Sequence, residues 1–448
     1  MSNFLARWYI SWRQKLTPQQ NLFFGFMVYT LIGWGLLCLP IVRKTEVSFL
    51  DNLFMATSAI STTGLASVST FDSYNGLGQA VILLLVQIGG IGYMTFTSFI
   101  LMSNNNNLST WRKNILNAEF AMPIGFDLRE FIRSVIVFTV IIEVIGAICL
   151  FIAFKLAGVE TSFAIWSSIF HSISAFCTAG FGLYNNSFES FADNTTINVI
   201  LSVLSIIGSL GFIVILDVWQ RLQGKRNRLT YTTKVIVGVF LSIVTFGTII
   251  LFFFEPSISN MALYYRLWAA FFQAMSAITT VGFNTIPMNV LSVPVLLALC
   301  FVMYIGSPPS GTGGGLKSTT FAAILAVLWS KLRGSAQVAF FGSRIPEARV
   351  SLAVSSFIFY TSFIFLAIFL LSFSEKTPLE NIMFEVISAI STVGLSAGIT
   401  GTLTAGGKII IISIMFIGRL GVLTFGLALL ARAETKNTTI NNEDDLAV

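Results

Sequence analysis

Apolar residues in this chain come in long runs separated by short polar stretches. Runs long enough for the ~20 residues that cross a bilayer lie near 21–40, 77–101, 131–154, 196–219, 235–254, 289–329 (interrupted), 351–374 and 405–430. They predict eight transmembrane spans. Shorter apolar segments stand near 49–61, 163–176, 266–279 and 380–390. These are too short to cross and read as re-entrant helices. Composition points the same way: 55% of residues are hydrophobic and 10% are charged, where a soluble protein carries about 25%. The expected fold class is an all-α polytopic membrane protein.

Each short segment ends in one phrase. It reads Ser-Ala-Ile-Ser-Thr-Thr-Gly-Leu at 58–65, Ser-Ala-Phe-Cys-Thr-Ala-Gly-Phe at 174–181, Ser-Ala-Ile-Thr-Thr-Val-Gly-Phe at 276–283 and Ser-Ala-Ile-Ser-Thr-Val-Gly-Leu at 388–395. The copies align without a gap, at steps of 116, 102 and 112 residues, so the chain is a fourfold repeat. Its divisions are an N-terminal segment 1–20, repeat 1 at 21–101, repeat 2 at 131–219, repeat 3 at 235–330, repeat 4 at 351–430 and a tail 431–448. Two crossings per repeat relate consecutive units by rotation about the membrane normal rather than by inversion. The prediction is four parallel span–pore-helix–span repeats around a pseudo-fourfold pore.

Glycine at the same place four times fits a backbone that turns its carbonyls toward an axis, through dihedrals that other residues tolerate poorly. Carbonyl dipoles replace the hydration shell of a monovalent cation without a fixed charge to trap it. The negative C-terminal ends of the short helices would add to that field. A single such turn would read as an ordinary helix C-cap. Four in register between spans favour an ion site.

Charge sets the expected orientation. Eighteen of the 26 Lys and Arg fall in the terminal segments and in the loops after spans two, four and six, while the opposite loops are mainly acidic. The positive-inside rule then places both termini in the cytoplasm. The net charge of +6 therefore needs no nucleic-acid partner. The basic start lacks a small-residue cleavage site, so the first span is expected to be retained. Cys38, Cys149, Cys177 and Cys300 lie in apolar segments without paired spacing, and neither a disulfide nor a cysteine metal site is expected.

Two intramembrane features stand apart from the repeat. The sixth span is interrupted at 306–318 by Gly-Ser-Pro-Pro-Ser-Gly-Thr-Gly-Gly-Gly-Leu-Lys-Ser, which cannot continue a helix and must line a cavity or pack on protein. It is not a P-loop, since Leu316 replaces the glycine required before Lys317. A structural kink is the simpler alternative, but the two prolines alone would suffice for that. Arg419 stands deep in the eighth span, where a charge costs ~2.5 kcal/mol or more and faces a pore or a partner. Other intramembrane polar groups carry weaker signals. Glu143 pairs with another span or faces water, Asp217 is expected to be solvated near a span end, and His171 is expected to be a packed residue rather than a ligand. Lys317 would pair with carbonyls or a carboxylate.

Thr280-Val281-Gly282-Phe283 and Thr392-Val393-Gly394-Leu395 resemble the filter core of potassium channels. The fourfold span–helix–span plan resembles the Trk/Ktr/HKT superfamily of potassium transporters over essentially the whole chain. With eight spans and no more, it is most similar to the KtrB family, the membrane subunits of bacterial Ktr systems. The resemblance implies K+ uptake through a channel-like path. It implies a K+ selectivity filter of Thr62, Thr63, Gly64, Thr178, Ala179, Gly180, Thr280, Val281, Gly282, Thr392, Val393 and Gly394, acting through backbone carbonyls. Gly64, which is serine in some Na+-favouring plant relatives, points to K+. It implies an intramembrane gate of Gly311, Thr312, Gly313, Gly314, Gly315 and Lys317, with Arg419 as an electrostatic barrier below the filter. It also implies a homodimer in a bacterial plasma membrane, on a cytosolic ring of RCK-type nucleotide-binding (KtrA-like) subunits. ATP and ADP would act through that partner, no cofactor would be held by this chain, and Na+ would be an activator. Two rival classes stay open. A Na+- or H+-coupled secondary carrier would need a central buried carboxylate, for which Glu143 is the candidate. A membrane enzyme lacks a His/Cys metal set or acid–base residues beyond one histidine.

Overall fold

The computed structural model describes residues 16–92, 95, 98, 128–225, 227–335 and 337–430. Expectations that fall on 1–15, most of 93–127 and 431–448 lie outside the described residues. These include the end of the predicted second span, the N-terminal segment before residue 16 and the tail.

The described residues are mostly helical, and their helices come in four groups. The first holds α1 (Pro18–Leu37), α2 (Phe49–Ile60) and α3 (Gly76–Ile91); the second α4 (Leu128–Leu156), α5 (Thr161–Phe176), α6 (Thr195–Leu210) and α7 (Phe212–Leu222). The third holds α8 (Tyr231–Phe254), α9 (Leu263–Thr279), α10 (Val293–Tyr304) and α11 (Ser318–Leu332), followed by a hairpin of β1 (Ala339–Phe340) and β2 (Ser343–Arg344). The fourth holds α12 (Glu347–Ser374), α13 (Leu379–Ile390), α14 (Ala405–Leu420) and α15 (Val422–Leu430). In groups two to four the long first helix packs on the short second one, and α2 packs on both α1 and α3.

Local chemistry starts these helices where they start. Thr17 and Gln20 form a reciprocal capping box ahead of Pro18. Asn75, Asn194, Thr230 and Thr404 accept orphan amides at the starts of α3, α6, α8 and α14. Two acids do similar work across sequence. Glu255 Oε2 accepts from the Ser292 amide (3.0 Å) at the start of α10, and Glu375 Oε1 from the Thr404 amide (3.1 Å) at the start of α14. A carboxylate at a helix N-terminus also meets the positive end of its dipole.

The second predicted span of a group is not straight. Among the described residues, four helices are long and apolar enough to cross a membrane alone: Pro18–Leu37, Ile132–Leu156, Tyr231–Phe254 and Glu347–Ser374. The runs at 196–219 and 405–430, expected as continuous spans, are bent by 97° at Gly211 and 96° at Gly421. Both glycines have φ near +85°, at 88° and 82°, a region closed to most residues. Gly92, with φ 89°, ends α3 in the same way. The break at 306–318 therefore has counterparts in the other groups.

Small residues bring the helices together. A methyl group on Gly89, Gly208 or Gly418 would overlap the carbonyl oxygen of Ile60, Phe176 or Ile390. The third helix of groups one, two and four thus rests directly on the end of its own short helix, a close approach that small residues permit. Beneath, Phe54, Phe170, Phe272 and Phe384 occupy equivalent places and are at most 1% exposed.

Candidate functional site

Each short helix stops at the shared phrase for one local reason. The amides of Thr63, Ala179, Val281 and Val393 return to the carbonyls of Ser58, Ser174, Ser276 and Ser388 at 2.8–3.1 Å, the bond that closes a Schellman-type C-cap. The residue at the turn is threonine, not glycine: Thr62, Thr178, Thr280 and Thr392 have φ of 52°, 49°, 60° and 53°. Left-handed threonine is strained, by ~1–3 kcal/mol each, and here it recurs four times. The C-cap reading and the ion-site reading thus describe the same turns.

The glycines that follow lie against one another in sequence order. A methyl on Gly64 would overlap the carbonyl oxygen of Ala179, on Gly180 that of Val281, on Gly282 that of Val393, and on Gly394 that of Thr63. The series closes on itself, so the four turns form one ring. Gly64, Gly180, Gly282 and Gly394 all have positive φ, between 68° and 90°, which with the crowding leaves no room for a side chain. Thr62, Thr63, Thr178, Ala179, Thr280, Val281, Thr392 and Val393 are fully buried.

The copies are not identical. Ser58 Oγ and Ser388 Oγ each accept the amide of their own glycine at 3.1 Å. Ser174 Oγ instead donates to the Phe181 carbonyl (2.7 Å), and Ser276 Oγ is buried without a hydrogen-bond partner. Cys177 takes the place of Ser or Thr in the second copy. Its Sγ lies 3.7 Å from both Gln87 Oε1 and Glu143 Oε1, and Gln87 Nε2 donates to Glu143 Oε2 at 3.1 Å. Glu143 is thereby paired behind the second turn. His171 is packed, as expected: Nε2 accepts from the Leu183 amide (3.2 Å), Nδ1 lies 2.7 Å from the Ser167 carbonyl, and Tyr184 stacks on the ring.

The loop 306–318 touches all four threonines. Thr62 Oγ1 lies 3.2 Å from the Thr312 carbonyl oxygen, Thr178 Oγ1 lies 2.9 Å from Thr312 Oγ1, and Thr392 Oγ1 accepts from the Gly314 amide at 2.8 Å. A methyl on Gly313 would overlap Thr280 Oγ1. The loop thus lies across the turns that form the ring. It is also tied to the bend in group two, where the Phe212 amide donates to the Ser310 carbonyl (3.1 Å) and the Thr312 amide to that of Gly208 (3.2 Å). Gly311 has no space for a methyl because the Ser209 carbonyl stands there, and Gly315 (φ 79°) packs on Ser391. Lys317 Nζ donates to the Gly313 carbonyl at 3.1 Å, so it pairs inside the loop.

Arg419 clamps the loop from the end of α14. Its Nη1 donates to the Thr312 carbonyl and to Thr62 Oγ1 (3.0 Å), and its Nη2 to the Gly89 carbonyl. One side chain joins groups four, three and one. A cavity of about 410 Å³ opens beside it, lined by Gly89, Gly313, Lys317, Arg349, Arg419 and Gly421 among others, and by none of the ring glycines.

Polar pairs also cross between groups, one from helix to helix and two on the segments that follow the ring. Lys408 Nζ meets Asp51 Oδ1 at 2.6 Å, Asn185 Nδ2 donates to Asp72 Oδ2 at 2.7 Å, and Asn284 Nδ2 to Glu189 Oε1 at 2.8 Å. Burial alone would raise the Asp51 carboxyl, but hydrogen bonds from Lys408 and Ser48 outweigh it and hold the group below its usual value. Two acids differ from their expected settings. Asp217 is not solvated: it is 3% exposed and accepts from the Thr230 amide at 2.8 Å, an internal cap at the start of α8. Glu385, a charged residue inside the short apolar segment 380–390, is fully buried on α13. Neither could be read from hydropathy, because both depend on partners that only the fold supplies.

The chain is similar to known cation transport proteins. The family TrkH, described as "Cation transport protein", matches residues 25–438. The chain is 34% identical over 433 residues to Ktr system potassium uptake protein B of Bacillus subtilis, covering 96% of each. It is also 34% identical to the potassium/sodium uptake protein NtpJ of Enterococcus hirae, covering 94% of each. Its fold resembles that of the potassium transporter TrkH from Vibrio parahaemolyticus, with a TM-score of 0.68 and 21% identity over 91% of this chain and 84% of that one. The chain belongs to the TrkH family of cation transport proteins.

Proposed function

We propose that this chain carries K+ into the cell along a channel-like path, with the glycine ring as its selectivity filter. The observation that carries the reading is the closed series Gly64–Gly180–Gly282–Gly394, in which each glycine lies against the next copy's carbonyl. K+ sheds water at the carbonyls of Thr62, Thr63, Gly64 and their counterparts in the other three turns. The short helices act as pore helices whose negative ends face the ion. The path then meets the loop of Gly311, Thr312, Gly313, Gly314, Gly315 and Lys317, which with Arg419 forms the gate. A membrane potential worth ~2.3 kcal/mol per charge per 100 mV drives inward flow.

The related proteins named for potassium uptake support K+ as the ion, and the one named for potassium and sodium supports a role for Na+. On this reading the four groups make eight crossings, three of the paired ones bent or broken at mid-depth, with both termini in the cytoplasm of a bacterial cell. The chain works as a homodimer on a cytosolic RCK-type ring through which ATP and ADP act. A transport family sets aside the membrane-enzyme alternative. The pairing of Glu143 with Gln87 and Cys177 supports the channel-like path over the carrier alternative.

The test is uptake in a host lacking its own K+ transport, comparing the chain with Gly282→Ser. The serine side chain would strike the Val393 carbonyl, so the preference for K+ over Na+ should fall. An unchanged preference in a variant that reaches the membrane would refute the ring as filter.

A further inference from the structure

Aligned on the serine that opens the shared phrase, the short helices carry two telling columns. Four residues earlier stand Phe54, Phe170, Phe272 and Phe384, one residue type in all four. Three residues earlier stand Met55, His171, Gln273 and Glu385, equally buried at 0% exposure but chemically unlike. A column needed only as filler would stay apolar, as Met55 does, because a buried polar group is costly unless bonded.

The three polar members are bonded, and all to the same place. His171 Nε2 accepts from the Leu183 amide at 3.2 Å. Gln273 Nε2 donates to Thr285 Oγ1 at 3.0 Å. Glu385 Oε2 accepts from Ser396 Oγ at 2.8 Å, and its Oε1 from Thr400 Oγ1. Leu183 and Thr285 lie three residues beyond Gly180 and Gly282, and Ser396 two beyond Gly394. Each polar side chain therefore ties its own short helix to the chain leaving its own glycine. The entering side of each turn is already fixed by the C-cap bonds to Ser58, Ser174, Ser276 and Ser388. The turn is held on both flanks.

We propose that His171, Gln273 and Glu385 are positioning residues that brace the leaving strand of three glycine turns and so set the width and stiffness of the ring. The proposal rests on the reading of that ring as the ion filter. A carbonyl ring discriminates between ions through its size and the field of its dipoles, and both depend on what holds the backbone from behind. The first turn has Met55 in this column, which can make no such hydrogen bond.

The experiment measures K+ and Na+ uptake in parallel by the full chain, with Gly282→Ser as reference. Gln273→Leu and Glu385→Leu should lower the preference for K+ about fivefold or more, the worth of one buried hydrogen bond. Gln273→Glu and Glu385→Gln, which can still bond the hydroxyls, should restore most of it, and Met55→Leu should change nothing. If the leucine variants do not reach the membrane, Thr285→Val, and Ser396→Ala combined with Thr400→Val, remove the same bonds from the other side and decide by the same criterion. If Gly282→Ser lowers the preference while the brace variants leave it intact, the brace is refuted and the filter stands. The brace also falls if Met55→Leu is as harmful as the others, since packing would then be the cause. If no variant, Gly282→Ser included, alters the preference, the filter reading falls and takes the brace with it.

Discussion

In an Arg419→Ala variant the loop 306–318 keeps its bonds to Gly208, Thr178 and Thr392 and loses its link to α14 and α3. The lost link is a charged guanidinium on the Thr312 carbonyl, with the other end of the fork on the Gly89 carbonyl. A hydrogen bond to a charged group is worth about 1.5–3 kcal/mol. Removing it weakens the closed position of the loop by roughly 10- to 150-fold, at 1.4 kcal/mol per factor of ten. Where the closed form predominates, K+ flux rises by up to that factor and levels off once the loop is open. Loss of the positive charge acts in the same direction, since it removes a repulsion on the path. Arg419→Lys separates the two effects. Lysine keeps the charge, but a single ammonium cannot serve both carbonyls as the planar fork does, so the flux should lie between parent and alanine variant. The assay is K+ uptake into proteoliposomes at a fixed potential, normalised to inserted protein. Unchanged or lower flux in an Arg419→Ala protein that melts normally would refute both the clamp and the barrier.

Three further outcomes follow from single contacts. Glu143→Gln retains a partner for Gln87 and Cys177, so K+ uptake and its response to Na+ should stay close to the parent; abolished coupling would instead support a carrier. Gly208→Ala drives a methyl into the Phe176 carbonyl, an overpacking worth ~1–3 kcal/mol, and should lower the melting temperature of the detergent-solubilised protein; unaltered melting would mean that α6 and α5 are not in that contact. Asp51→Asn should cost about 1–3 kcal/mol by loosening Lys408, whose pair with Asp51 is about 15% exposed. Because the Asp51 carboxyl is held low, its contribution is complete above the ordinary carboxylate value of ~4 and is lost as pH falls through the lower folded value. The deficit of Asp51→Asn should therefore shrink in acid below that range, and a deficit independent of pH would exclude the ion pair as its cause.

Hydropathy and one repeated phrase carried much of the architecture. The short apolar segments near 266–279 and 380–390 correspond to helices at Leu263–Thr279 and Leu379–Ile390, because an apolar run that ends in a strained Thr-x-Gly turn has a visible boundary. The bends at Gly211 and Gly421 were not legible. Each glycine stands three residues after another in a largely apolar run, and hydropathy reports solvent preference rather than chain direction. Partners of buried polar groups were invisible for another reason. Arg419 and Gly89, or Lys408 and Asp51, are more than three hundred residues apart, and only closure of the fourfold arrangement brings them together. The bracing column was present in the sequence all along. Its signal was the contrast between an unvarying phenylalanine and the varied residue beside it, but its meaning required the hydrogen bonds.

Repetition and asymmetry answer different physical demands here. A ring of carbonyls needs only backbone dihedrals and an absence of side chain, so four near-identical turns can supply it, and all four retain Thr at φ near +50° to +60° and Gly beyond it. If the loop is the proposed plug on the pore axis, it cannot be fourfold, because one loop already contacts all four threonines and four would compete for the same space. Four arginines there would repel one another as well as the ion. Each group therefore contributes a different part: the third the loop, the fourth the arginine, and the first two the carbonyls of Gly89, Phe176 and Gly208 that receive them. A single chain can assign those parts separately, whereas a tetramer of identical subunits would have to repeat each of them. On the proposed reading, that freedom lets a near-symmetric filter sit above a gate with no symmetry.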